Sequence, residues 1–148
     1  VSAGEARQLG AELVSLPELM DECQTVSLHA PLLPATRHMI NADMLARLRS
    51  GATLINTARG GLIDQAALEA ELTSGRLSAF LDVTEPEALP ENSPLYDLPN
   101  VVLTPHIAGA IGNERQRLGR LVVDEIERFV TGKPLQHSLT LESLYYQA

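Results

Sequence analysis

The sequence predicts an α/β domain built on a parallel sheet, and three features carry the prediction. Short, continuous apolar runs alternate with amphipathic helical segments, and most connections between them are short. Alternation of this kind builds βαβ units, and continuous apolar strands suit a parallel sheet covered on both faces. One connection departs from the rule. Residues 83–100 form a long polar segment with Pro86, Pro90, Pro94 and Pro99. A loop beyond about 12–15 residues in a compact domain is usually functional or disordered. This one follows a strand's C-terminal end, where open α/β sheets bind their ligands.

The elements follow in order. Ala11–Val14 reads as a weak strand. Ser15–Glu22 reads as a helix with Leu16, Leu19 and Met20 on one face. Thr25–Leu28 is a buried strand, and Asn41–Arg49 a helix carrying Met44, Leu45 and Leu48. Ala52–Asn56 is the next strand. Asp64 is a good N-cap for a helix through Leu72, and Gly75 supplies the stop. Ser78–Asp82 and Val101–Thr104 complete the strands. The last regular element is a long helix, Asn113–Val130, ended by Gly132 and Pro134. Leu118, Leu121, Val122, Ile126, Phe129 and Val130 form its stripe, and Asn113 with Gln116 resembles a capping box. The tail holds Leu139, Leu141, Leu144, Tyr145 and Tyr146, an apolar set without a core of its own.

Composition narrows the function classes. The chain has 148 residues, 45% hydrophobic and 20% charged, enough for one domain with a sizeable core. A net charge of −8 argues against a nucleic-acid binder, which needs a basic footprint. A single cysteine, Cys23, excludes an internal disulfide and points to a cytoplasmic setting. No apolar run approaches the roughly 18 residues of a membrane helix, so no membrane partner is expected. His29, His38 and His137 show no ligand spacing with Cys23, so no metal is expected.

Four strand-end segments could carry chemistry. Arg59 follows a buried strand and precedes Gly60-Gly61. Arginine clamps a carboxylate through two parallel bonds, although a surface arginine near a helix start has the same local pattern. Asp82 ends an apolar strand and is either a ligand acceptor or a cap. Glu85 and Glu87 are either functional or simply solvated. His106, in Thr104-Pro105-His106-Ile107-Ala108-Gly109, is a candidate acid/base or a plain loop histidine.

Taken together, Arg, Asp, Glu and His at successive strand ends resemble the D-isomer-specific 2-hydroxyacid dehydrogenases, the family of phosphoglycerate, glyoxylate/hydroxypyruvate and D-lactate dehydrogenases. The resemblance runs from about residue 12 to residue 140. Its motifs are Ser27-Leu28-His29-Ala30-Pro31-Leu32, Thr36-Arg37-His38-Met39-Ile40-Asn41, Asn56-Thr57-Ala58-Arg59-Gly60-Gly61-Leu62-Ile63-Asp64, Leu81-Asp82-Val83 with Glu85-Pro86-Glu87, and the histidine segment.

The resemblance implies roles. Arg59 would bind the substrate carboxylate and His106 would be the acid/base. The family's glutamate lies five residues after the strand-end aspartate, which selects Glu87 over Glu85 as the imidazole's partner. Asp82 would hold the nicotinamide carboxamide. Pro31, Thr36, Thr57, Ala58, Arg59, His106 and Gly109 would line the dinucleotide. The implied fold is a Rossmann-like parallel sheet, the C-terminal part of an NAD-binding domain. A helix and tail would return from it toward a largely absent substrate domain. Residues 1–131 would be the partial NAD(P)-binding domain and 132–148 the tail. The implied cofactor is NAD or NADP, with NAD ahead, and the substrate a small 2-hydroxy or 2-keto acid. The implied assembly is a homodimer.

No Gly-x-Gly-x-x-Gly occurs in these residues. The chain is therefore expected to be the C-terminal half of a family chain, inactive alone. The alternatives are a non-enzymatic NAD(H)-sensing corepressor on the same scaffold and an inactive truncated product. A formate dehydrogenase would resemble this pattern with Gln in place of Glu87.

Overall fold

Local signals decide where the helices begin. The computed structural model describes residues 2–144. Helix α1 spans Ala3–Gln8 and α2 spans Leu16–Glu22. Each opens with a capping box, Ser2 with Glu5 and Ser15 with Glu18, in which serine and glutamate satisfy each other's orphan N–H groups. Helix α3, Ala42–Arg47, starts where Asn41 accepts from the Met44 amide at 3.0 Å. Helix α4, Gln65–Thr73, starts where Asp64 accepts from Ala66 and Ala67. Gly75, at φ +75°, ends it and donates to the Leu72 carbonyl.

The strands are β1 (Thr25–Leu28), β2 (Thr53–Asn56), β3 (Ser78–Leu81) and β4 (Val101–Leu103). All three pairings are parallel, in the order β1-β2-β3-β4, with Leu28 opposite Asn56 and Asn56 opposite Leu81. Parallel strands end together, so four loops emerge from one edge of the sheet. The first two are tied by backbone. Ile40 and Ile63 form an isolated parallel bridge, and the Ile40 amide donates to the Leu62 carbonyl.

The core lies on one face of this sheet. Val26, Leu28, Leu54, Ala79 and Leu81 pack against Met20, Leu45, Leu48, Leu68 and Leu72 from α2, α3 and α4. The other face departs from the two-sided cover expected of such strands. Thr25 and Ser27 are exposed there, Phe80 is 49% exposed and Val102 45%. Among the described residues no element covers that face.

Three further expectations are corrected. Residues 11–14 are not a strand, because no neighbour among the described residues pairs with them. Residues 83–100 are not wholly irregular, since Pro94–Tyr96 form a 3-10 turn capped by Ser93 that buries Leu95. Helix α5, Asn113–Val130, has the expected bounds but no capping box. The chain enters it through Gly112 at φ +52°, which makes Asn113 a helical residue unable to cap. No residue of α5 is buried, and Ile126, Phe129 and Val130 are all more than half exposed. The short helix α6, Leu141–Leu144, follows, with Leu139 and Leu141 exposed. Tyr145 and Tyr146 of the apolar tail set lie outside the described residues. No helix among the described residues is long and apolar enough to cross a membrane.

A few hundred Å² of apolar surface left in water forfeits several kcal/mol at about 25 cal/mol per Å². That is comparable to the 5–15 kcal/mol stability of a whole domain. The isolated 148-residue chain should therefore self-associate in sedimentation velocity, and Ile126→Asp should reduce the association. A cooperatively melting monomer would contradict this.

Candidate active site

The loop after β2 is shaped by a buried amide. Asn56, fully buried at the strand's end, donates to the Arg59 carbonyl at 2.9 Å and accepts from the Ala58 amide at 3.1 Å. A polar side chain buried this deeply needs both partners, so Asn56 dictates the turn. Arg59 then caps the 3-10 turn Gly60–Leu62 and donates from Nη1 to the Ala58 carbonyl at 2.7 Å. The motif contains Asn56, but the strand pattern alone assigns it no role. The signal available was an amide closing an otherwise apolar strand.

Glycine sets how closely the loops approach. A Cβ on Gly60 would stand 2.1 Å from the Thr84 carbonyl oxygen, so only glycine lets the β2 loop touch the β3 loop.

Asp82 organises the loop after β4. It is 4% exposed. Its Oδ1 accepts from Thr104 Oγ1 at 2.5 Å and from the Ile107 amide at 2.8 Å, and its Oδ2 accepts from the Ala108 amide at 2.8 Å. These three bonds all go to donors of the loop after β4. Two successive peptide N–H groups turn toward the carboxylate. Burial raises the Asp82 pKa, but the bonds from Thr104, Ile107 and Ala108 and the nearby His106 outweigh it, and the net shift is downward.

The anchored loop presents His106 in a left-handed conformation, φ +53°. Its amide donates to the Asp82 carbonyl at 3.1 Å. Its Nδ1 lies 2.7 Å from Glu87 Oε1. Among the described residues nothing bonds its Nε2. Glu85, two residues earlier, makes no bond to His106 and pairs with Arg37 at 2.7 Å and His38 at 3.1 Å. Those two bonds, His38's first and then Arg37's, hold the Glu85 carboxyl below its ordinary pKa.

Arg59, Glu87 and His106 line one cleft of about 250 Å³, together with Leu32 and Gly60. A larger cavity of about 530 Å³ shares Glu87 and His106 with it and does not include Arg59. The smaller cleft is the one with convergent chemistry. The remaining candidates sit around it differently. Thr36 Oγ1 donates to the Pro31 carbonyl at 2.6 Å and accepts from Leu33, so its hydroxyl closes its own loop. Thr57 is exposed and Ala58 half-buried at the end of β2. Gly109 is exposed, with no atom within 4 Å of where a Cβ would stand. Among the described residues no group of histidine, cysteine or carboxylate side chains could hold a metal ion.

Asp82→Asn should cost about 1–3 kcal/mol at neutral pH, the value of a hydrogen bond to a charged group. A depressed carboxyl pKa lends stability above its unfolded value and loses it as pH falls through the folded one. The gap between parent and variant should therefore narrow below about pH 4. Urea unfolding at both pH values checks this, and an equal gap would count against the anchor.

Comparison with known proteins assigns the fold to a family. The profile described as D-isomer specific 2-hydroxyacid dehydrogenase, NAD binding domain, matches residues 1–108. A glyoxylate reductase of Korarchaeum cryptofilum is 42% identical over 128 residues, covering 86% of this chain and 39% of that protein. The chain thus spans about two fifths of that relative's length. The apo D-mandelate dehydrogenase of Rhodotorula graminis superposes with a TM-score of 0.83 at 38% identity, covering 95% of this chain and 41% of its own. A D-isomer specific 2-hydroxyacid dehydrogenase of Xanthobacter autotrophicus Py2, solved with NADPH and MES, gives 0.73 at 39% identity, covering 86% and 52%. The parallel sheet, its strand-end loops and these matches together make the chain a member of the D-isomer specific 2-hydroxyacid dehydrogenase family, within its NAD-binding domain.

Proposed function

We propose that the protein carrying this chain moves a hydride between NAD(P) and a small D-2-hydroxy or 2-keto acid. The observation that carries the reading is the single cleft shared by Arg59 and the His106–Glu87 pair, with Nδ1 and Oε1 2.7 Å apart. Arg59 offers a planar cationic fork to a carboxylate. His106 holds its Nδ1 on Glu87 and keeps Nε2 for the substrate oxygen, taking its proton in oxidation and returning it in reduction. Glu87 orients the ring by accepting from Nδ1.

The chain's edge fits the nicotinamide end of the dinucleotide. Thr57 and Ala58 close β2, and Gly109 faces open space. Asp82 Oδ2 accepts one bond and keeps a lone pair for a carboxamide N–H. When bound, the cofactor supplies the hydride chemistry. Of the two cofactors, NAD is the first choice. The uncovered apolar stripe of α5 supports a homodimer as the assembly.

Reduction of glyoxylate and hydroxypyruvate by the full-length protein, with NADH and NADPH compared, tests the reading. No turnover despite tight NADH binding would favour a dinucleotide sensor. Arg59→Ala should lower kcat/KM about a hundredfold, the worth of about 3 kcal/mol, and leave NADH affinity nearly unchanged. Arg59→Lys should rescue poorly. His106→Asn keeps a residue type that tolerates positive φ and should cost about 10²–10⁴ in kcat. Near-parental rates in either Arg59→Ala or His106→Asn would overturn the assignment.

A further inference from the structure

The His106–Glu87 contact is short but unprotected. The Glu87 side chain is 74% exposed and His106's is 47% exposed. An ion pair this open is worth only about 0–1 kcal/mol, so its own attraction does not hold the two groups in register. The register has to come from the backbone of residues 84–87, and the question is what fixes that backbone.

Four contacts do so. Thr84 Oγ1 donates to the carbonyls of Pro86 at 2.8 Å and Glu87 at 3.1 Å, closing the segment on itself. The Thr84 carbonyl rests against Gly60, in contact too close for any side chain. The Glu85 amide reaches Gln65 Oε1 at 3.4 Å. The fourth is a small charged network, two cations on one carboxylate whose side chain is 33% exposed against 74% for Glu87. Arg37 Nη2 donates to Glu85 Oε1 at 2.7 Å and His38 Nε2 donates to Glu85 Oε2 at 3.1 Å, one donor for each carboxylate oxygen.

The network is itself anchored. His38 sits at φ +51°, an uncommon conformation that histidine adopts more readily than most residues, and its amide donates to the Gly61 carbonyl at 2.8 Å. Asp64 then donates to the Ile40 carbonyl. A Cβ on Gly61 would stand 3.2 Å from Arg37 Nη1, so the glycine leaves room for the guanidinium. The loop after β1 is thus laced to the turn that carries Arg59, and from there it grips the segment that carries Glu87.

We propose that Arg37, assisted by His38, is a positioning residue: through Glu85 it holds the 84–87 segment so that Glu87 meets His106 Nδ1. Arg37 makes no hydrogen bond to Arg59, Glu87 or His106 and does not itself line the cleft; it acts on it through Glu85, which does. Its effect on turnover rests on the acid/base reading of His106, while its effect on the imidazole does not.

The imidazole tautomer reports the contact directly. A carboxylate at Nδ1 holds the proton there and leaves Nε2 bare. In the full-length protein labelled with ¹⁵N-histidine, at a pH above the ordinary histidine range of about 6.5, His106 should show the Nδ1–H signature. Arg37→Met and the near-isosteric Glu85→Gln should each shift it toward a mixture with Nε2–H. Arg37→Lys should shift it less than Arg37→Met does, because a cation still faces Glu85. Arg47→Met, which removes a surface pair with Asp21 at 2.9 Å, should leave it unmoved. In keto-acid reduction, Arg37→Met should lower kcat about tenfold, a part of what acid–base catalysis supplies, with KM little changed. An unshifted His106 tautomer in Glu85→Gln, whatever happens to Arg37→Met, overturns the proposal. Tautomer shifts as expected in a protein that reduces no keto acid would leave the positioning role standing and remove the dehydrogenase reading instead.

Discussion

The Asp82 carboxylate accepts three hydrogen bonds from the loop after β4, and the geometry of the whole edge follows from them. A buried anion recruits the nearest donors, and here these are a hydroxyl and two successive peptide N–H groups. Gathering Ile107 and Ala108 around one carboxylate bends the loop sharply. The bend leaves His106 at positive φ, with its imidazole turned out toward the β3 loop. The pair that defines the site is therefore a consequence of how one buried charge is satisfied by a loop more than 20 residues away in sequence.

The same logic recurs along the edge with different chemistry. Asn56 is neutral, and it shapes the β2 loop by giving and taking one bond each. Glu85 is partly exposed and acts through two cations instead of peptide groups. The β2 and β3 ends thus carry polar residues that order the backbone, and other residues of the edge face the cleft. Asn56 stands beside Arg59, Glu85 beside Glu87, and Asp82 orders the loop of His106. Separating the two duties keeps the cleft-facing groups free for a ligand, since a side chain fully engaged with its own backbone has little capacity left.

The sheet supports this edge from one side only. Its packed face carries the aliphatic core, while Phe80 and Val102 remain half open and α5 carries a long apolar stripe into solvent. The edge needs the packed face for rigidity, because the loops inherit their positions from β1 to β4. It does not need the open face to bring Arg59, Glu87 and His106 together.

Much of this was legible in the amino-acid sequence. The four strands, the helix from Asp64 with its Gly75 stop and the span of α5 follow from apolar periodicity and local capping, which depend on residues only a few positions apart. The family pattern singled out Glu87 over Glu85 by its spacing from Asp82, and the geometry brings Glu87 to His106. Other features depended on contacts between distant segments. The bonds that engage Asp82 come from donors 22 to 26 residues away, and a one-dimensional pattern does not show which way those donors turn. The pairing of Arg37 and His38 with Glu85 spans 47 to 48 residues and sits beside the bridge between Ile40 and Ile63. The start of α5 at Gly112, and not at an Asn113 cap, was decided by the backbone the chain adopts on leaving the His106 loop. Strands and helices were determined by the sequence because their signals are local. The duties of the polar residues at the edge were decided by the tertiary structure, because a hydrogen bond is assigned only when its partner arrives.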